Sequence, residues 1–111
     1  MQKLVTKEVL KKFEKYPIYS QDGKGNEAKV LVKFFNPYGC GTWLVTEASF
    51  DKEANDWDLY GLAKLNDEWE WGYLGYLKEF INLRVPTIFG VKMPIERDQY
   101  IGKNPIVKDF M

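Results

Sequence analysis

The chain has 111 residues, 45% of them apolar and 16% aromatic, with 16 basic residues balancing 16 acidic ones and no histidine. That length is one domain, here residues 1–111, with enough apolar content to bury a core, and its composition argues against disorder. Without histidine neither a Ser-His-Asp nor a Cys-His mechanism can be built, and the commonest nitrogen ligand for zinc is missing.

The zero net charge is unevenly spread. Residues 1–33 carry eight lysines against four acids, residues 34–46 no charge, residues 47–70 eight acids against two lysines, and residues 71–111 six bases against four acids. A duplex-binding domain shows an overall basic excess, which this chain lacks. The single cysteine, Cys40, rules out an internal disulfide and favours a reducing compartment. The N-terminal "MQKLVTKEVLKKF" lacks the apolar stretch of a secretory signal, and no run approaches a membrane span. A cytoplasmic protein with no membrane association is expected.

Thr6 is positioned to cap a helix, with Val5 and Leu10 as a hydrophobic staple. Val9, Leu10, Phe13 and Tyr16 then recur at helical spacing until Pro17, predicting an amphipathic helix over 7–16. The Gly- and Asx-rich "SQDGKGNEA" (20–28) reads as a surface loop. It lacks both the spacing and the ending of a phosphate-binding loop.

"KVLVKFFN" (29–36) is rich in β-branched and aromatic residues and reads as a strand, with Val30, Val32 and Phe34 alternating against Leu31, Lys33 and Phe35. "PYGCG" is a turn. "TWLVTEASF" (42–50) is a second strand, with Trp43, Val45 and Glu47 on one side. "DKEAND" is a polar turn without the glycine and closing glutamate of a calcium loop. "WDLYGLAKL" (57–65) is a third strand, with Trp57, Leu59, Gly61, Ala63 and Leu65 on one face and Asp58, Tyr60, Leu62 and Lys64 on the other.

"NDEWEWGYLGY" (66–76) turns into a fourth strand. Strand alternation places Trp69, Trp71 and Tyr73 on one face and Glu68, Glu70, Gly72 and Leu74 on the other. A half-buried antiparallel strand has this pattern, so the rings read first as core packed under a helix. The alternative is an exposed platform, and the neighbouring acids would repel phosphates there. "LKEFINLRV" is predicted as a second short helix. Pro86, Pro94 and Pro105 break up the C-terminal third, where short strand pieces and a loosely tied tail are expected.

Four strands at regular spacing joined by short turns predict an antiparallel meander. The expected fold class is therefore α+β: an antiparallel sheet of four or more strands with an N-terminal helix and a second short helix packed on one face.

The helix segment "LVTKEVLKKF", then "VKFFNPYGCGTWLVTE", "DLYGLAKLNDEWEWGYLGYL" and "MPIERDQYIG" occur in that order over most of the chain. In this the chain resembles the bacterial family catalogued as domain of unknown function 2958. It departs from the family in having more tryptophan and lysine and in placing Cys40 where a small residue would serve. The family-like positions are Thr42, Trp43, Thr46, Glu47, Glu96, Arg97 and Asp98. The resemblance implies a small single-domain protein of plasmids, phages or integrated mobile elements and carries no particular activity with it.

No catalytic residue, metal ligand or cofactor is expected. Cys40, in a glycine-flanked turn, has no histidine to activate it. The residues expected to bind a protein partner are Trp43, Glu47, Trp57, Tyr60, Tyr73, Tyr76, Glu96, Arg97 and Asp98, since exposed tyrosine and tryptophan are common anchors. Lys7, Lys11, Lys12 and Lys15 on the first helix carry the nucleic-acid alternative. A second alternative is a small carboxylate- or metal-dependent enzyme in which Glu47, Glu96 and Asp98 converge; otherwise Glu96–Asp98 read as an exposed or inter-strand ion pair. The leading expectation is a non-enzymatic accessory protein that binds another protein.

Overall fold

In the computed structural model, residues 3–111 are described. Met1 and Gln2, included in the expected 1–111 domain and in the N-terminal stretch read for a signal, lie outside the described residues. Helix α1 spans Lys7–Lys15 and opens as expected, the Thr6 Oγ1 accepting the Val9 N–H at 3.3 Å. Its buried stripe is Val9 and Phe13, the latter 0% exposed.

Four strands follow in a meander: β1 (Val32–Phe35), β2 (Thr42–Asp51), β3 (Asp56–Lys64) and β4 (Trp69–Tyr76). Helix α2 (Leu77–Asn82) comes next, then β5 (Arg84–Pro86), β6 (Lys92–Pro94) and β7 (Glu96–Arg97). The main sheet has the order β4-β3-β2-β1-β7 with every pairing antiparallel, and β5 and β6 form a separate hairpin. This is the expected α+β architecture, extended by the short edge strand β7.

Both helices cover one face of the sheet. Val9 and Phe13 of α1 and Leu77 and Phe80 of α2 pack with Val32, Phe34, Val45, Ala48 and Leu59. The start of α2 is fixed by the buried Asp56 carboxylate, which accepts the Lys78 N–H. The opposite face carries no α-helix; there the 3-10 turn Val107–Phe110 packs on a smaller core of Ala28, Val30, Leu44, Leu62 and Val107, with Trp69 and Phe110 half-buried against it.

Two expectations about the chain ends of this core are corrected. The strand expected over 29–36 begins only at Val32, because Lys29 pairs instead with Ile106 and the Val30 N–H donates to the Pro105 carbonyl at 2.9 Å. Val30 therefore faces the smaller core while Val32 and Phe34 face the larger one. The same bonds tie down the C-terminal segment, expected to be loose. Its Val107 is fully buried and donates its N–H to the Ala28 carbonyl at 3.0 Å.

Strand alternation is interrupted twice. Val45 lies opposite Gly61 but Glu47 lies opposite Tyr60, so Thr46 is an extra residue in β2. Leu59 lies opposite Gly75 but Tyr60 lies opposite Tyr73, so Leu74 is an extra residue in β4. Strict alternation would place Glu47 on the side of Val45, under the helices. The bulge moves it to the side opposite the α-helices, beside Tyr60. The bulge also brings the Leu44 carbonyl oxygen so close to Gly61 that a Cβ there would collide with it.

Candidate functional site

β2 is ten residues long and β1 only four, so half of one edge of β2 is left without its strand partner. The chain leaving α1 fills that place. The Ala48 N–H donates to the Tyr16 carbonyl, and the Ile18 N–H to the Ser49 hydroxyl, both at 2.9 Å. The segment 18–25 then crosses onto the face opposite the α-helices and is bound there by Glu47. The two carboxylate oxygens of Glu47 accept the N–H groups of Tyr19 and Gln21, each at 2.9 Å.

The Gln21 side chain completes the attachment. Its amide nitrogen donates to the carbonyls of Thr46 at 2.6 Å and Lys29 at 2.9 Å, and its oxygen accepts the Lys29 N–H at 2.6 Å. The segment read as a plain surface loop thus buries one polar side chain and encloses a carboxylate that is 4% exposed. Among the described residues Glu47 has no ion-pair partner.

Between this segment and the sheet lies an open cleft of about 520 Å³. Its walls are Ile18, Tyr19, Gln21, Asp22 and the backbone at Gly23 and Gly25 on one side, and Glu47, Tyr60, Trp71 and Tyr73 on the other. Tyr60 and Trp71 stack with ring centroids 6.3 Å apart and planes 27° apart, and Tyr73 meets Tyr60 edge-on at 5.3 Å. Trp71 is 44% exposed and Tyr73 59%. The first reading of these rings as core is therefore corrected: all three face one side as predicted, but only Trp69 packs against a core. No α-helix covers this side, and Trp71 and Tyr73 meet Tyr60, the 18–25 segment across the cleft and solvent.

Tyr19 sits at φ 77°, a region that residues with a Cβ rarely adopt. The backbone bond to Glu47 holds it there, on the cleft wall opposite Tyr73. The Tyr19 hydroxyl, with some desolvation and the nearby Asp58 charge, raises the Tyr73 hydroxyl above its ordinary range. At the far end of the same strands the Tyr76 hydroxyl donates to Asp51 at 2.7 Å. This bond pushes Tyr76 up to about 12 and lowers Asp51. Asp58 is raised by burial and by the Asp51 charge.

The other expected binding residues are dispersed. Trp43 and Trp57 lie on the helix-covered face, Trp43 edge-on to Phe80 and Trp57 against Phe13 and Phe50, all at 5.5 Å between ring centroids. Glu96–Asp98 lie along the opposite edge of the sheet. Arg97 pairs with Phe34 and donates to the Lys3 carbonyl, Glu96 pairs with Phe35, and Asp98 bridges to Lys33 at 3.3 Å.

Glu96 is level with Thr42 through Phe35, two strands across from Glu47 and five residues further along. That is a displacement of roughly 16 Å along the strands and roughly 10 Å across them. The structure does not bring Glu47 together with Glu96 and Asp98. Among the described residues no three Cys, Asp or Glu side chains are grouped as a metal site would need.

Sequence reasoning missed Tyr19, Gln21 and Trp71 as members of one site. It also missed the β5–β6 hairpin tip, where Ile88, Phe89 and Val91 are exposed. The signal for the tip was present in "TIFGV", a turn with Gly90 at φ 78° between two short strands. The lysine helix is laid out as predicted, with Lys7, Lys11 and Lys15 exposed and Lys12 half-buried. Lys12 and Lys15 share a notch of about 110 Å³ with Lys29 and Lys103 that no carboxylate lines. Cys40 is exposed in its turn, and no helix among the described residues is long and apolar enough to cross a membrane.

Comparisons with curated proteins and with solved structures gave no match. A family model does match, over residues 4–110, nearly the whole chain. With its helix, its "TWLVTE" strand and its ring-bearing β3–β4 hairpin all inside that span, the chain belongs to the family described as protein of unknown function DUF2958.

Proposed function

We propose that this protein is a cytoplasmic, non-enzymatic protein-binding module, an accessory protein of a bacterial mobile element, whose partner docks over the cleft between the 18–25 segment and the β3–β4 hairpin. The observation that carries this reading is the ring group of exposed Trp71 and Tyr73 with half-buried Tyr60 between them, beside an open concavity. Aromatic side chains left partly in water in a concave setting are the usual anchors of protein interfaces, because they bury much area at little entropic cost. The absence of histidine and the dispersal of the carboxylates favour binding over chemistry.

The test is capture of partners by the tagged protein from lysate of the native host, with half of the lysate treated with nuclease. A stoichiometric protein that survives nuclease is the expected result. Partners that vanish with nuclease would overturn it in favour of the second reading.

That second reading rests on the notch of Lys12, Lys15, Lys29 and Lys103, none of which is in an ion pair among the described residues. Four such cations fit a phosphate backbone, and binding there would weaken steeply with salt.

A further inference from the structure

The cleft walls carry four aromatic rings and two carboxylates, those of Asp22 and Glu47, and no lysine or arginine. Lys24, the only cation of the 18–25 segment, is not part of the lining. We propose that the occupant of this cleft is an arginine side chain presented by a protein partner, its guanidinium lying against the Tyr60 and Trp71 rings. The inference rests on the protein-binding reading above and names the chemistry of the partner.

Several features point the same way. The faces of Trp and Tyr rings carry negative charge density and attract cations, tryptophan most strongly. Tyr60 and Trp71 stack nearly parallel, 27° apart, and a planar group laid on the exposed Trp71 ring would extend that stack. Arginine is planar and weakly hydrated and stacks on such surfaces, whereas the ammonium of lysine is compact and strongly hydrated. The buried Glu47 carboxylate has no cation of its own at the cleft wall, and both of its backbone bonds come from the 18–25 side. A guanidinium in the cleft would supply the missing opposite charge. Asp58, whose charge is felt at Tyr73, and Asp51 beyond it extend the negative field along the same face. A phosphate or carboxylate ligand would meet that field with the wrong sign. The cleft volume suits a side chain together with its flanking backbone.

The experiment is an NMR titration of the full chain with a glycine pentapeptide bearing a central arginine, and with counterparts bearing lysine, citrulline or glutamine. The indole N–H of Trp71, assigned with Trp71→Phe, is the reporter. Arginine is expected to shift Trp71, Gly23 and Gly25, to bind roughly tenfold more tightly than the isosteric neutral citrulline, and to weaken with added salt. Asp22→Asn, an exposed substitution that leaves the fold intact, is expected to weaken arginine and leave citrulline unchanged. Equal binding of arginine and citrulline, or shifts confined to other parts of the chain, would overturn the proposal. A partner captured through Trp71 and Tyr73 without arginine selectivity sinks this inference alone; no protein partner at all sinks the protein-binding reading.

Discussion

The Glu47 carboxylate and the Gln21 backbone N–H are joined at 2.9 Å across 26 positions of sequence, inside the protein. That bond attaches the 18–25 segment to the bulged middle of β2 and sets the width of the cleft. Hydrogen bonds to a charged group contribute about 1.5–3 kcal/mol, and leaving a donor unmatched costs a similar amount. Glu47→Gln keeps the shape but offers one oxygen where two N–H groups donate. It is expected to destabilise the protein by about 1–3 kcal/mol in urea unfolding. It is also expected to speed hydrogen exchange at the Tyr19 and Gln21 amides more than in β1 or β3. Uniform faster exchange everywhere would mean that Glu47 supports the whole fold rather than this segment.

The bulge beside Glu47 makes a separate demand at Gly61, where a Cβ would strike the Leu44 carbonyl. Gly61→Ala is expected to cost roughly 1–3 kcal/mol or more, since backbone must move to admit one methyl group. Gly72 is paired with Gly61 across the hairpin, but a Cβ there meets nothing within 4 Å. Gly72→Ala is expected to change stability by no more than about 1 kcal/mol. Equal effects in thermal melts would show that the close approach at Gly61 is relieved by relaxation.

Much of this fold was legible in the sequence, and the reasons are local. Thr6, the spacing of Val9 and Phe13, and Pro17 define α1 without tertiary information. The β-branched and aromatic runs around short polar turns define the meander. Side-chain faces were legible only as far as alternation held. The pattern "WLVTE" reads as Trp43, Val45 and Glu47 on one side, and nothing in it announces that Thr46 is an extra residue. The bulge depends on β3, through Gly61, so it is a property of two strands together. The rings of "WEWGY" were placed on the correct common face. Whether that face is covered depends on where the α-helices go, and both went to the other side.

The Tyr76–Asp51 bond yields a pH dependence whose sign follows from its shifts. Tyr76 is raised from 10.0 to about 12, so its neutral hydroxyl stabilises the fold fully below pH 10 and the contribution is lost as pH rises towards 12. Asp51 is lowered from 3.8, so its contribution is present above that value and is lost as pH falls through its still lower folded value. The stability difference between the native protein and Tyr76→Phe is expected to be constant near neutrality and to shrink above pH 10. Denaturation midpoints measured across pH check this. A difference that grows with alkalinity would mean that the hydroxyl does not donate to Asp51.

The central claim is that the exposed rings of β4 form a docking surface. Trp71 and Tyr73 contact one another's neighbours at the surface rather than the core. Replacing both with alanine is expected to cost about 1–2 kcal/mol through the lost ring pairs and leave the protein folded. The most direct measurement is quantitative mass spectrometry of the proteins captured from nuclease-treated host lysate by the native chain and by the Trp71→Ala/Tyr73→Ala variant, after circular dichroism has shown both to be folded. The account predicts one protein recovered in stoichiometric amount by the native chain and depleted at least roughly tenfold with the variant, as loss of two interface anchors implies. Equal recovery by the two would contradict it, placing the binding surface elsewhere on the molecule.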